Sequence, residues 1–165
     1  MSTLYLLRHA KAGWALPGVR DFDRPLDESG HVDAEATGSA MREHNYVPDI
    51  TLCSNALRAR ETLKGIAGSA DTGRVLFFDR LYSDDAAGYL SLVREHANCG
   101  SVLVIGHNPM MEDLASALAG DGDEAARAVL SHGFPTSGLA VISFDKGLAH
   151  AAPGTGFLEA FLTPA

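Results

Sequence analysis

Short runs of apolar residues alternate along the chain with longer stretches in which apolar positions recur every three or four residues. Leu4-Tyr5-Leu6-Leu7 and Val102-Leu103-Val104-Ile105 carry no charge, which suits strands buried on both faces of a sheet. Asp49 to Ser54 and Arg74 to Phe78 read as two more strands. Gly138 to Phe144 follows a Pro-Thr-Ser-Gly turn as another, and Gly156 to Leu162 reads as the last. The intervening patterns are helical. Asp27 to Asn45 has acidic residues near its start and is broken by Pro48. Ala56 to about Gly68 places Leu63, Ile66 and Ala67 on one face, and Ala86 to Ala97 does the same with Leu90, Val93 and Ala97. Met111, Leu114, Ala115 and Leu118 stand at i, i+3, i+4 and i+7, and Ala125 to Leu130 forms a shorter helical stretch. Lys11 to Gly18, Asp79 to Asp85 and Gly120 to Glu124 read as loops and breaks.

Strands alternating with helices predict βαβ units, and hence an α/β fold. The expected architecture is a three-layer α/β/α sandwich with a mostly parallel central sheet flanked by helices. No repeat, low-complexity tract or linker interrupts the pattern, so residues 1–165 are expected to form a single domain. A chain that is 46% hydrophobic and 21% charged can bury a core without disulfides or metals. The net charge of −8 speaks against general binding to nucleic acid or to anionic membranes. The N-terminus lacks the basic and long apolar segments of a signal peptide. No stretch approaches the ~20 apolar residues needed to span a bilayer. Cys53 and Cys99 are isolated and fit reduced thiols in a cytoplasm, the expected compartment.

Candidate chemistry gathers at strand ends. The first strand ends on Arg8-His9, and Val102 to Ile105 ends on Gly106-His107. The strand Ile50 to Cys53 runs into a helix whose first turn holds Arg58. In a parallel sheet these ends share one edge, where open α/β sheets bind ligands. Arg8, His9, Arg58 and His107 are therefore expected to face a single cleft, with a helix amino-terminus adding donors for an anion. Arg24 precedes Pro25, which favours an extended conformation, and is within reach from the loop. Guanidinium forks fit phosphate oxygens, and a neutral imidazole can serve as a nucleophile. Three cations beside two imidazoles repel one another, which predicts an anionic guest, a phosphoryl group being the natural one.

No His-x-His, His-Glu-x-x-His or paired Cys-x-x-Cys spacing occurs, and no Walker-type loop. No metal site and no cofactor are expected. His31, His44, His96, His132 and His150 are expected at the surface, His132 being the one that could approach the cleft. Trp14, Arg60 and Thr136 have both cleft-lining and ordinary packing or solvent-facing readings, and the sequence does not choose between them.

The segments "LLRHAKAGW", "SNALRARET" and "VIGHNP" together resemble the histidine phosphatase (phosphoglycerate mutase-like) superfamily. The short length, "DFDRPLDESG" and the lack of inserted segments look most like its SixA-like phosphohistidine phosphatase branch. The resemblance spans about residues 3 to 145. It implies a phosphoglycerate mutase-like fold and a metal-independent phosphatase in which His9 accepts the phosphoryl group. Arg8 and Arg58 would hold its equatorial oxygens, His107 would donate to it, and Arg24 would add a further phosphate contact. The implied partner is a protein domain bearing phosphohistidine, with a small phosphorylated substrate as the alternative. A non-catalytic phosphate-binding module is the alternative of a different class.

The chemistry requires a neutral His9, and a better-protonated His107 beside it predicts a bell-shaped pH profile. Many members of the superfamily carry a glutamate after the third strand to protonate a leaving alkoxide. Here that segment reads Leu81-Tyr82-Ser83-Asp84-Asp85. An imidazole protonated on its other nitrogen leaves as a neutral molecule and needs no such acid, so an N–P substrate is favoured. Asp84 or Asp85 as proton donor is the alternative. Phosphoglycerate mutase activity is disfavoured, because the chain is too short to carry a segment that closes over the site.

Overall fold

The computed structural model describes residues 1–164. Its strands are β1 (Ser2–Arg8), β2 (Ile50–Ser54), β3 (Arg74–Phe78), β4 (Ser101–Gly106), β5 (Ala119–Gly122), β6 (Leu139–Phe144) and β7 (Gly156–Leu162). Its helices are α1 (Glu28–Glu43), α2 (Leu57–Ala67), α3 (Arg80–Ser83), α4 (Ala86–Glu95), α5 (Met110–Leu118) and α6 (Glu124–Ser131). All seven strands join one sheet in the order β3-β2-β4-β1-β6-β7-β5. Only β6 runs against the rest, so the expected mostly parallel sheet is present.

The uncharged strands have two buried faces. Leu4, Leu6, Leu52, Val102 and Val104 point to one side, against Tyr89 and Val93 of α4 and Met111, Leu114 and Leu118 of α5. Their neighbours Tyr5, Leu7, Cys53, Leu103 and Ile105 point to the other, against Met41 of α1 and Ala59, Leu63 and Ile66 of α2. This period of two in the strands, facing a period near 3.6 in the helices, is what closes the three layers. Truncating a residue such as Leu6, which has no exposed surface, is expected to cost about 2–5 kcal/mol. At Gly38 the two helices on that second face approach so closely that a Cβ would lie 2.6 Å from the Ile66 carbonyl oxygen.

Three segments differ from expectation. Gly120 to Glu124, read as a polar break, holds all but the first residue of β5, which pairs with β7 at the sheet edge, and the first residue of α6; the pairing comes from tertiary contact rather than from local hydrophobicity. Asp79 to Asp85, read as loop, holds the single turn α3, fastened by Arg80 to Asp84 and Glu95. Ala97 lies two residues beyond α4, whose last turn ends at His96. Within the Lys11–Pro25 loop, Asp21–Asp23 winds into a 3₁₀ turn, which matters for the site.

The order β2-β4-β1 at the centre of the sheet decides the geometry of function. Arg8 pairs with Gly106, and Cys53 with Ile105. The carboxyl ends of all three strands therefore open on the same edge.

Candidate active site

The edge brings together four of the five residues expected there, and Arg24 stands beside them. His9 follows β1 and its backbone N–H donates to the Gly106 carbonyl (3.0 Å), which sets the two strand ends level. The His9 and His107 rings lie 5.1 Å apart between centroids. His9, His107 and Arg58 are all buried.

His9 Nδ1 lies 2.7 Å from the Ala10 carbonyl oxygen. A carbonyl can only accept, so Nδ1 carries the proton and Nε2 keeps its lone pair. Arg58 Nε donates to that Nε2 at 3.3 Å. The Ala10 N–H is tied to Thr62 Oγ1 (2.9 Å), which anchors the loop after His9 to α2. Burial pushes the His9 imidazole down to about 4. The Ala10 hydrogen bond opposes this, and the charges of Arg58, Arg8 and Arg24 add to it. His9 is neutral at pH 7.

His107 Nε2 lies 2.8 Å from Ser54 Oγ at the end of β2, while its backbone N–H donates to Tyr89 Oη (3.2 Å). The Tyr89 hydroxyl in turn donates to the Leu81 carbonyl. Gly106 makes room for this tyrosine: a Cβ there would meet Tyr89 Oη at 2.7 Å. Burial pushes His107 down to about 3, reinforced by His9 and Arg58 and opposed by Asp21. The expectation of a protonated His107 is therefore corrected. Desolvation and neighbouring cations both oppose the imidazolium, and both imidazoles are neutral in the open pocket.

Arg8 donates through Nη1 to the Phe134 carbonyl (2.8 Å), leaving Nε buried without a partner. Arg24 donates through Nη1 to the Gly13 carbonyl (2.7 Å) and through Nε to Asp21 Oδ1 (2.9 Å). Asp21 is the residue that sequence reasoning missed. Its other oxygen accepts from Arg58 Nη2 (3.0 Å) and Tyr82 Oη (2.8 Å), and its carbonyl accepts from Arg58 Nη1 (2.7 Å). Partial burial opposes ionisation of Asp21. The hydrogen bonds from Tyr82 and Arg24 and the charge of Arg58 outweigh it and hold the carboxyl near 2.

The chain thus supplies an anion of its own for Arg24 and Arg58, and the prediction that all three cations need a guest to sit together is corrected for these two, while Arg8 has no carboxylate partner among the described residues. The signal lay in Asp21, three residues before Arg24, inside a quoted segment to which only Arg24 was assigned. Ser54, Tyr82 and Tyr89 were missed as well. Tyr82 sets its ring edge-on to His107, 5.5 Å between centroids, and under the Arg58 guanidinium.

The remaining candidates fall into place around the site or away from it. Trp14 is 94% exposed and lines an open depression of about 420 Å³ with Lys11 and Arg24; it covers no core. Arg60 lies over Phe77 and lines a second depression of about 520 Å³ with Arg20, Phe22 and Tyr82. His31, His44, His132 and His150 are exposed and His96 is half-buried; the His132 ring stays on α6, at the Ala128 carbonyl. Asp84 is held by Arg80, and Asp85 caps α4 by accepting from the Gly88 N–H (2.9 Å). Cys53 is buried and its thiol is pushed up by that burial. Among the described residues, no three His, Cys, Asp or Glu side chains converge so as to hold a metal ion. No described helix is long and apolar enough to cross a membrane.

The carboxyl edge of the sheet thus gathers two neutral imidazoles and three guanidinium groups, an arrangement suited to an anionic ligand. Residues 4–81 match the histidine phosphatase superfamily (branch 1). An uncharacterised protein of Mycobacterium tuberculosis is 35% identical over 161 residues, covering 96% of this chain and 99% of that protein. Among solved structures, a candidate phosphohistidine phosphatase SixA from Agrobacterium tumefaciens is 38% identical with a TM-score of 0.85, over 99% of this chain and 98% of that one. Its counterpart from Nakamurella multipartitia is 33% identical with a TM-score of 0.86, over 99% and 96% of the two chains. The chain belongs to the histidine phosphatase superfamily, in its SixA-like branch, with the phosphoglycerate mutase-like α/β fold. It is a phosphatase enzyme.

Proposed function

We propose that this protein is a metal-independent phosphatase that removes the phosphoryl group from phosphohistidine in a partner protein, through a phosphohistidine intermediate on His9. The observation that carries this reading is a set of orphaned donors. Among the described residues, Arg8 Nε, His107 Nδ1 and Ser137 Oγ are the buried side-chain polar atoms with no hydrogen-bond partner. Two of the three are nitrogens that belong to the strand-end cluster. Buried polar groups left unpaired are costly, so the pocket is complementary to a guest with acceptor oxygens.

In the first step the His9 Nε2 lone pair attacks phosphorus. The new N–P bond forms as the partner's N–P bond breaks, and its electron pair returns to the leaving imidazole nitrogen. With its proton on the other nitrogen, that imidazole departs neutral. Water then adds its oxygen to phosphorus, the bond to His9 Nε2 breaks, and the water proton passes to a phosphate oxygen. Arg58 turns its Nε–H from His9 to the phosphoryl oxygens, while Arg8 and His107 complete the cradle and Arg24 steadies its rim. Phosphoryl transfer depends on such positioning and charge more than on further covalent steps.

The free thiols of Cys53 and Cys99 suit a reducing cytoplasm. The likeness to SixA proteins supports a protein substrate, and the pocket chemistry alone would also take a small phosphorylated molecule. The test compares hydrolysis of a phosphohistidine protein with that of p-nitrophenyl phosphate, in EDTA, for wild type and His9→Ala. Faster N–P cleavage that survives EDTA and disappears with His9→Ala is expected. Preferred ester cleavage would sink the leaving-group reading, and inactivity on both would put a phosphate-binding module in its place.

A further inference from the structure

Ser54 has no exposed surface, and its Oγ makes two contacts among the described residues. It accepts from the Ala56 N–H at the start of α2 (3.2 Å) and lies 2.8 Å from His107 Nε2. On the far side of the same ring, Nδ1 is buried and unpartnered. We infer that Ser54 is a positioning residue that holds His107 as the neutral Nδ1–H tautomer, so that an uncharged imidazole donates to the phosphoryl oxygen. This rests on the reading of the pocket as a phosphoryl site and deepens it.

Two arrangements of the protons are open to this pair. If His107 Nε2 carried the proton and donated to Ser54, the serine oxygen would accept twice and its own hydroxyl proton would have no acceptor. Nδ1 would then present a lone pair to the oxygens of an anion. If Ser54 donates instead, its hydroxyl is satisfied and Nε2 is satisfied. The one group left open is then a buried N–H that has no acceptor among the described residues, the group that a phosphoryl oxygen would satisfy. Only the second arrangement leaves no buried donor wasted once phosphate is bound. The strand geometry makes it possible: Cys53 pairs with Ile105, so Ser54 and His107 emerge together at the ends of adjacent parallel strands. A neutral donor also suits its neighbours, since a cation at His107 would face His9 and Arg58 directly.

The consequence is a pocket whose nucleophile and donor share one protonation window. Burial pushes both imidazoles well below their ordinary value, so both are neutral together at physiological pH, as Nδ1–H tautomers with different nitrogens at work. His9 offers its bare Nε2, and His107 offers its Nδ1–H.

The test is nitrogen NMR on protein labelled with ¹⁵N-histidine, free of ligand, between about pH 6 and 8. The His107 resonances are expected to show a protonated Nδ1 and a bare Nε2; a protonated Nε2, alone or as imidazolium, overturns the inference. In Ser54→Ala the Nε2–H form is expected to grow in. With it, kcat/KM for a phosphoramidate and the affinity for inorganic phosphate should each fall about tenfold, the loss of one hydrogen bond to a charged group. An unchanged spectrum with activity within twofold overturns it too. Should Ser54→Ala fail to fold, a pair of substitutions decides. His107→Asn places an amide N–H near the Nδ1 position and should retain more phosphate affinity than His107→Gln, which reaches toward Nε2; the reverse order overturns the inference. A wild type inactive on every phosphorylated substrate would remove the proposed function, while the spectrum would still judge the tautomer.

Discussion

β1 and β4 run side by side in one register, and each delivers a histidine to the same edge of the sheet. The two imidazoles are nevertheless held by opposite ends. His9 is fixed through Nδ1 by the carbonyl of the next residue, which leaves Nε2 its lone pair, turned to Arg58 Nε. His107 is fixed through Nε2 by the hydroxyl of a residue on a third strand, and its unpartnered atom is Nδ1. Burial makes both neutral at pH 7, so charge does not separate their roles. The hydrogen bond behind each ring does. A bare nitrogen is a nucleophile, and a protonated one is a donor.

The sharpest way to break this comparison is to remove each ring in turn. His9→Ala is expected to lower turnover by on the order of 10⁴-fold or more, and to abolish the acid-labile phosphoenzyme in rapid-quench experiments. His107→Ala removes one stabilising donor and is expected to cost roughly 10²–10³-fold, with phosphoenzyme still forming. A phosphoenzyme that persists without His9 and vanishes without His107 would exchange the two assignments.

Shared neutrality leads to the next test, which concerns pH. Both imidazoles have folded-state values below the ordinary 6.5, about 4 and about 3. The unfolded chain therefore takes up protons first as pH falls. Stability from this source is whole above about pH 6.5 and drains away as pH drops toward and below 4. Urea unfolding of wild type and His107→Asn at a series of pH values reads this out: the variant should show the shallower loss, and equal slopes would sink the account. The same values predict that kcat/KM falls on the acid side only, below about pH 5. A bell with an alkaline limb near neutrality would restore the protonated His107 that the sequence alone suggested.

How much of this was legible in the chain follows from the range of the forces involved. Leu4–Leu7 and Val102–Ile105 announce themselves because a strand buried on both faces must be apolar throughout, and Arg8, His9 and His107 could be read because they follow such runs directly. Arg58 was legible from the strand-to-helix pattern. Asp21 was not, since its role depends on the Asp21–Asp23 turn folding back over α2, so that its carboxylate lies 3.0 Å from a guanidinium 37 residues away. Ser54 was hidden for a similar reason: its partner is 53 positions distant, and a serine at a strand end has many ordinary uses. β5 could not be seen either, because Ala119–Gly122 becomes a strand only through its pairing with β7. The charge state of His107 was misread because a sequence shows which cations are near but not how completely the ring is withdrawn from water.

The smallest expected effect bears on the other face of the comparison, the end of β3 as against the ends of β1 and β4. The segment after β3 brings Tyr82 to the pocket, while its carboxylates Asp84 and Asp85 are engaged elsewhere. Asp84 Oδ2 accepts from Arg80 Nε at 3.2 Å, and Asp85 Oδ1 accepts from the Gly88 N–H at the start of α4. A general acid must hold a proton within reach of the leaving atom, and neither group is arranged to do so. Asp84→Asn and Asp85→Asn should therefore leave phosphoramidate hydrolysis within about twofold of wild type. Stability should hardly change at position 85, because asparagine caps a helix about as well as aspartate. Both substrates have to be measured on both variants. If ester hydrolysis alone collapses, these carboxylates serve an alkoxide leaving group and the pocket is a phosphomonoesterase with an N–P side activity. If ester and phosphoramidate fall together, a carboxylate from this segment takes part in the common step and the leaving-group argument fails. If neither falls, neither Asp84 nor Asp85 supplies the proton that an ester would need, and the preference for an imidazole, a leaving group that carries its own, stands.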